Sequence, residues 1–455
     1  MNPLEFHRSL ELEADAEDVF RWHCRTGAFE RLVPPWEPVS LEGLAAPVDV
    51  GAQQTVAFPL GPLRQRWLSE ITEVKAGREF KDVQLSGPFA SWEHTHSMQP
   101  ADAGGSTLRD SVRYTLPLGR LGSLVAGRFV RRKLERMFAY RHRITAQDLS
   151  RHAAVAAPPA DVLVSGSSGM VGRSLAAFLT TGGHRVRHLV RRAPENDDEF
   201  HWDPAKGELD SAALDGVDAV VHLAGENIAA RRWSAAQRAR IRDSRISGTR
   251  LLVDALQSMS RKPQVFVSAS AVGVYGDRSD ELLDEGSQTG EGFLAEVCDD
   301  WESEAHKLTG VRTVQLRFGV VLSPAGGALA KMLLPFRLGA GGRIGSGRQW
   351  MSWVALDDAV GTIHHALFTD ELQGPVNAVA PQSVTNAEYT RVLGRVLRRP
   401  AVIPMPSFAA RLAFGELADE LLLASQRAVP SRLQETGYKF AHPDLEKALR
   451  HQLGY

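Results

Sequence analysis

Three glycines spaced three apart stand between an apolar run and an amphipathic one, in Val162-Leu-Val-Ser-Gly166-Ser-Ser-Gly169-Met-Val-Gly172-Arg-Ser-Leu. No other feature constrains the chain as much. A strand (Asp161–Ser165) must run into a tight turn and then into a helix (Val171–Thr181). Gly166 permits the turn, Gly169 lets the backbone approach a ligand, and Gly172 lets helix and strand pack closely. The free N–H groups at the helix start then face an anion, and a dinucleotide pyrophosphate suits this spacing. Ser168, Met170 and Val171 belong to the same loop and complete its candidate contacts. The alternative is a glycine turn in an α/β protein that holds no ligand.

The chain around this loop alternates strand and helix. His184–Val190, Ala219–Leu223, Val265–Ser268 and Thr313–Phe318 read as strands, and Gln237–Leu256 as a helix. Repeated β-α units imply a parallel, doubly wound sheet of the Rossmann kind. The second strand ends in His188-Leu-Val-Arg191-Arg192, where an NAD-selective site usually carries an acid for the ribose 2′-OH. A guanidinium binds a 2′-phosphate that a carboxylate would repel. Arg191 and Arg192 therefore predict NADP(H) over NAD(H), unless both are solvated loop residues. The next strand runs into His222-Leu223-Ala224-Gly225. Leu223, Ala224 and Gly225 are cofactor candidates through their backbone, and His222 reads as a histidine satisfied by the backbone. Val320, past the strand Thr313–Phe318, joins the cofactor set.

A length of 455 residues implies two or three domains. The clearest break is His152-Ala-Ala-Val-Ala-Ala-Pro-Pro-Ala160, an Ala/Pro run that reads as a linker over 151–160. Before it, the periodicity is mostly two. Phe6–Leu12, Gln53–Leu60, Arg64–Val74, Glu79–Leu85, Ser91–Met98 and Thr107–Leu116 read as strands. Gly61-Pro62 and Ala103-Gly104-Gly105 read as turns among them. Asp15–Leu32 reads as a helix, and Leu121–Leu149 as a long terminal one. Residues 1–150 are thus expected to form an α+β domain, and 161–455 an α/β domain with a substrate subdomain mainly at 324–455. The element order of the first domain resembles the helix-grip fold of START-like and polyketide-cyclase-like proteins. Trp67, Phe80, Phe89 and Trp92 either line a pocket for an apolar ligand there or are plain core.

The balance of 53 basic against 54 acidic residues offers nothing to a polyanion. The local run Arg128, Arg131, Arg132, Arg136, Arg141 and Arg143 reads as a solvated helix face, so no nucleic-acid partner is expected. Two cysteines, Cys24 and Cys298, make no disulfide framework. The N-terminus lacks a signal-peptide pattern, and no apolar run is long enough for a bilayer. A cytoplasmic protein without a membrane span is the expectation. No His/Cys/Asp group shows metal-ligand spacing, so no metal is expected.

The combined motifs resemble extended short-chain dehydrogenase/reductases, and in particular an atypical epimerase-like branch related to nucleoside-diphosphate-sugar epimerases. They are the glycine loop, the His-Leu-Ala-Gly turn, Val274-Tyr275-Gly276, His201-Trp-Asp-Pro204, Ile241-Arg-Asp-Ser-Arg245, Ser268-Ala-Ser-Ala-Val272, Trp301-Glu302, Gly345-Ser-Gly-Arg-Gln-Trp-Met-Ser-Trp353 and Gly374-Pro-Val-Asn-Ala-Val-Ala-Pro381. The resemblance covers about 161–453, and some members carry a START-like domain in front. It implies a small-molecule substrate, phosphorylated or nucleotide-sugar-like. It also implies a Tyr-x-x-x-Lys pair, which this chain lacks; Leu294 and Cys298 stand at those positions. A Cys often replaces the Lys in the atypical branch.

Ser270 and Cys298 remain as the catalytic candidates, Ser270 as a donor to substrate and Cys298 as a thiol activated by Arg245. Leu294, Val297, Cys298, Trp301 and Ala305 also share one helical face, which would make Cys298 core. Arg245 stands where typical members have an Asn, and is a candidate for phosphate, ribose or an anionic substrate. Tyr275 reads as structural. In the Gly/Arg-rich segment 324–352, Arg343, Arg348 and Trp350 are substrate candidates, with Trp353 as a second stacking ring. The alternative there is a long structured loop with buried tryptophans. Asp357-Asp358 reads as an N-cap and first-turn acid of a helix. The reading is an epimerase or oxidoreductase-like protein. Its rival is a protein that senses NADP(H) without turnover.

Overall fold

Strict alternation of inward and outward residues builds the first unit. The computed structural model describes residues 3–43, 47–60, 63–102, 104–117 and 119–455. The expected turn at Gly61-Pro62, and Ala103 of the other turn, lie outside the described residues. The unit runs to Ala156 and takes in 177–183 and 453–455. Its elements are β1 (Leu4–Leu12), α1 (Ala16–Cys24), α2 (Ala28–Leu32), β2 (Ser40–Glu42), β3 (Gln53–Leu60), β4 (Leu63–Lys75), β5 (Glu79–Ser86), β6 (Ser91–Pro100), β7 (Ser106–Thr115) and α3 (Gly119–Val155). The sheet is antiparallel in the order β1-β7-β6-β5-β4-β3-β2.

Alternate residues of β6 and β7 are buried, and α1 and α3 pack on that face. Phe6, Trp92, Val112 and Tyr114 pack with Leu134 and Phe138 of α3. Leu12, Val19, Phe80, Met98 and Leu108 form a second cluster. Phe80 is thereby separated from Trp67, Phe89 and Trp92, whose rings touch one another at 4.9–5.5 Å.

Two expectations change here. The single helix expected over Asp15–Leu32 is broken, because Gly27 takes φ +93°, a left-handed conformation that ends one helix and starts another. The terminal helix runs on through Val155 and absorbs the first half of the expected linker. Ala and Val there continue the helix, which ends where Ala156 takes φ 46°, two residues before Pro158. Arg141, expected on a solvated face, lies half-buried, donates to the Leu32 carbonyl and sits over Phe138.

The second unit comprises 157–176 and 184–452. It begins with β8 (Asp161–Ser165), α4 (Met170–Thr181), β9 (Arg185–Val190), β10 (Glu199–Asp203), β11 (Glu208–Leu209) and β12 (Ala219–His222). Then come α5 (Ala235–Ser258), β13 (Val265–Ala271), β14 (Leu282–Leu283), α6 (Phe293–His306), β15 (Arg312–Phe318), β16 (Val320–Leu322) and α7 (Gly327–Arg337). β17 (Trp350–Met351), β18 (Trp353–Ala355), α8 (Leu356–Phe368), β19 (Gly374–Ala378), β20 (Val384–Thr385), α9 (Asn386–Leu397), α10 (Ser407–Phe414), β21 (Arg427–Ala428), α11 (Ser431–Glu435) and α12 (Leu445–Leu453) complete it.

The main sheet has the order β11-β10-β9-β8-β12-β13-β15-β19, parallel apart from the β10–β11 edge. Strands such as β12 and β13 are apolar on both faces because helices cover both. The order reverses between β8 and β12, and a doubly wound sheet opens its ligand crevice at that point. The glycine-rich stretch after residue 324 is not one long loop: α7 starts within it. Asp357 is not an N-cap either. Ala355 holds that position, and both acids lie buried in the first turn. Asp358 accepts from the backbone of Ala441 and His442, and Asp357 from Gln452, so they anchor the C-terminal segment. No helix among the described residues is long and apolar enough to cross a membrane.

Candidate functional site

The loop after β8 is built by contact between backbones. Gly166 has φ +72°, and a Cβ there would stand 2.8 Å from the Ala224 nitrogen and the Leu223 carbonyl carbon. A Cβ on Gly172 would stand 2.3 Å from the Gly166 oxygen and 2.7 Å from the Ser167 Cα. Gly166 thus seats the loop against the end of β12, and Gly172 seats α4 against the loop. Gly169 is different, since its Cβ would meet only the Gly166 oxygen, at 3.2 Å. Ser168 and Gly169 are exposed at the start of α4, with Met170 and Val171 half-buried beside them. Met170 also lies against Gly326, whose Cβ would stand 3.3 Å from its sulfur, so the start of α7 adjoins the loop.

Beyond β9 the two arginines part. Arg192 donates both terminal nitrogens to Glu199, at 2.6 and 2.7 Å, and has Glu195 at 3.3 Å. Arg191 is exposed and makes no ion pair or side-chain hydrogen bond among the described residues. Only Arg191 keeps an uncommitted guanidinium. Leu223 and Ala224 are half-buried and Gly225 exposed at the mouth of the switch point. Val320 is half-buried, and its N–H donates to the Ser352 carbonyl. His222 departs from expectation, because a side chain and not the backbone satisfies it: Nδ1 pairs with Ser165 Oγ at 2.6 Å, and Nε2 is buried without a partner. Burial, reinforced by Arg245, pushes its pKa down to about 3.

Arg245 does not reach outward. It donates to the Glu226 and Ile241 carbonyls and lies over the Trp301 ring at 5.1 Å. Burial lowers its pKa from the usual arginine value. It does not activate Cys298. That thiol is buried in the cluster of Val272, Val274, Tyr275 and Leu283. Burial first, then the Glu302 charge, push it up to about 12, and the opposing pull of Arg245 is smaller than either. Leu294 is buried as well. The positions of the missing Tyr and Lys are therefore apolar core, and burial holds the thiol protonated near neutral pH, which favours the core reading of Cys298 over the nucleophile.

Ser270 is 3% exposed and donates to Glu302 Oε1 at 2.6 Å. Glu302 in turn receives Arg317 through both oxygens, at 2.9 and 2.8 Å. Arg317 donates to the Tyr275 hydroxyl, whose single proton faces two acceptors, Asn377 Oδ1 at 2.7 Å and the Asp284 carbonyl at 2.9 Å. This chain ties β13, α6, β15 and β19 together behind the crevice. Tyr275 is structural, as expected, and burial raises its pKa. Sequence reasoning missed Arg317 and Asn377, because sidedness at the carboxyl end of a buried parallel strand leaves no periodic signal. It also missed Glu420, which accepts from the N–H groups of Phe293 and Leu294 and caps α6 at the place where typical members present their Tyr.

In the Gly/Arg-rich segment 324–352 Arg343 is exposed and donates to the Ser346 carbonyl. Arg348 is exposed, with no side-chain partner among the described residues. Trp350 is half-buried, donates to Asp280 and carries Arg427 over its ring at 4.3 Å. Trp353 is fully buried and donates to the Gln382 carbonyl, so it is core and not a stacking surface.

Comparison with known proteins agrees with this geometry. Residues 162–378 match the NAD dependent epimerase/dehydratase family. Residues 12–139 match the family described as polyketide cyclase / dehydrase and lipid transport, and 405–452 match a domain of unknown function. Epimerase family protein Mb2239 of Mycobacterium bovis is 48% identical over 290 residues, 63% of this chain and 96% of the relative. A crystal structure described as the nucleoside-diphosphate sugar epimerase from Corynebacterium glutamicum is similar over 99% of this chain and 90% of its own, with 35% identity and a TM-score of 0.80. The crystal structure of human epimerase family protein SDR39U1 (isoform 2) with NADPH covers 64% of this chain and 99% of its own, with 37% identity and a TM-score of 0.60.

Proposed function

We propose, from the premise that this chain belongs to the NAD dependent epimerase/dehydratase family, that it binds NADP(H) and acts as an oxidoreductase or epimerase on a phosphorylated or nucleotide-sugar-like substrate. The observation that carries the choice of NADP(H) is Arg191, an exposed guanidinium just past β9 with no side-chain partner among the described residues. The human relative crystallised with NADPH supports it. The glycine loop and the start of α4 receive the pyrophosphate, and Arg191 the 2′-phosphate. When bound, the nicotinamide supplies or accepts hydride. Arg343 and Arg348 meet substrate phosphate beside Trp350. The Corynebacterium protein, described as a nucleoside-diphosphate sugar epimerase, supports that substrate class.

Proton transfer cannot run through the usual Tyr and Lys. That same fact favours a second reading, in which NADP(H) is bound and sensed without turnover. The fluorescence of NADPH bound to the purified protein separates the two. Loss of the reduced signal on adding a small-molecule extract, abolished by Arg348→Ala, supports the reductase. A signal that stays constant with extracts and with sugar nucleotides, together with no epimerised product from NADP⁺-loaded protein, refutes catalysis and leaves the sensor. In the N-terminal domain, the half-buried Trp67 and Phe89 beside Trp92 support an apolar ligand for that sheet. Lipid recovered with the purified protein, and lost on Trp67→Ala, is its test.

A further inference from the structure

The inner face of the N-terminal sheet carries a polar cluster that the nucleotide site does not use. His94 and His96 are two apart on β6 and so point the same way. Strand register sets Asp82 of β5 opposite His94, and Asp110 of β7 opposite His96. Asp82 Oδ2 lies 3.3 Å from His94 Nδ1 and 3.9 Å from His96 Nε2. The remaining ring nitrogens, His94 Nε2 and His96 Nδ1, each lie 2.9 Å from one oxygen, Asp110 Oδ1. His142, from α3, reaches the other Asp110 oxygen at 2.5 Å.

We propose that Asp82, His94 and His96 form a binding site for a divalent transition-metal ion, oriented by Asp110. One atom from each of the three lies within 4.8 Å of the others. A zinc ion at about 2.1 Å from each ligand needs them about 3.4 Å apart, within about 1.5 Å of the separations here and in reach of ring tilts. Two imidazoles and one carboxylate, with positions left open, suit zinc or ferrous iron. The Asp110 contact is the second argument. A ligating histidine characteristically gives its other ring nitrogen to a carboxylate, and here one carboxylate faces that nitrogen of both rings.

Of the two rings only His94 is hydrogen-bonded to Asp110; His96 Nδ1 lies 2.9 Å from it, buried and without an aligned bond, and the small ring rotation that brings Nε2 onto an ion would also turn this nitrogen onto Asp110. Phe80 stacks on His96 at 4.2 Å, and Phe138 meets His94 edge-on at 5.2 Å, giving the apolar shell that strengthens such ligation. The side chain of Asp82 is 19% exposed against 4% for His94, which makes it the side of entry. Spacing hid the set because Asp82 and Asp110 come from neighbouring strands.

The test uses the full chain, stripped with a chelator, dialysed and titrated with Co²⁺ by visible absorption and with Zn²⁺ by calorimetry. One equivalent is expected, with d–d bands of a four- or five-coordinate ion. Asp82→Asn, on the more open side, should abolish the bands. Asp110→Asn should keep the stoichiometry and weaken binding about tenfold to a hundredfold. His96→Ala is read only if circular dichroism shows it folded. Absence of saturable binding overturns the site. So does binding that Asp82→Asn leaves unchanged, which would place the ion elsewhere, for example at Asp357, His442 and His451.

Discussion

Replacing Arg191 by alanine should cost NADPH affinity and spare NADH. The two nucleotides differ only in the 2′-phosphate, so the ratio of their losses isolates that contact. A charge-assisted hydrogen bond contributes about 1.5–3 kcal/mol. Arg191 is exposed, and solvent screening takes the lower end of that range. About 1.5 kcal/mol corresponds to about a tenfold rise in the NADPH Kd. Glu199 provides an internal comparison. It holds Arg192 through two hydrogen bonds, so Glu199→Gln loosens a second guanidinium, removes a negative charge beside the two arginines, and should tighten NADPH. Both are read by fluorescence titration with NADPH and NADH at fixed ionic strength, since exposed charges are screened by salt. Equal weakening of the two nucleotides by Arg191→Ala, or no weakening of either, would refute the 2′-phosphate assignment.

Gly172→Ala should abolish nucleotide binding and lower stability by about 1–3 kcal/mol, because its Cβ meets the Gly166 oxygen at 2.3 Å; Gly169→Ala, with one contact at 3.2 Å, should be milder, and equal urea midpoints for the two variants would contradict this. Cys298, pushed up to about 12, exposes about one thiolate in ten thousand at pH 8; iodoacetamide should leave it unlabelled in the native chain and label it on unfolding, and Cys298→Ala should keep NADPH binding. His222 titrates at about 3 when folded against 6.5 as the reference value. Between those values only the unfolded chain takes up the proton, so stability falls with acid by up to about 1.4 kcal/mol per pH unit. His222→Asn should remove that contribution, and a denaturation slope against pH identical to the parent's would count against it.

Local periodicity carried much of this protein into view. The long strands of the first unit, β8, β9, β12, β13 and β15 of the second, and the glycine loop were legible because pleat alternation, doubly apolar parallel strands and a strand–turn–helix junction each leave a signature within a few residues; the short β2 and the strands β10, β11 and β19 toward the sheet edges were not. The family was legible through its motifs. The absence of Tyr-x-x-x-Lys was plain as well, since a missing residue type needs no fold to be seen.

Tertiary structure decided what side chains with the same local signature do. Arg191 and Arg192 are adjacent and chemically identical, yet Glu199, seven residues past Arg192 on the next strand, engages only Arg192. Cys298 could be read from sequence as either core or nucleophile. Burial favours core, and desolvation depends on every neighbour that packs over the sulfur. Ser270 keeps its hydroxyl for Glu302, 32 residues on, and Asp110 gathers three histidines from two other elements. A sequence specifies which residues can pair. Only the register of strands and the packing of helices specify which of them do, because burial and distance are properties of the assembled chain.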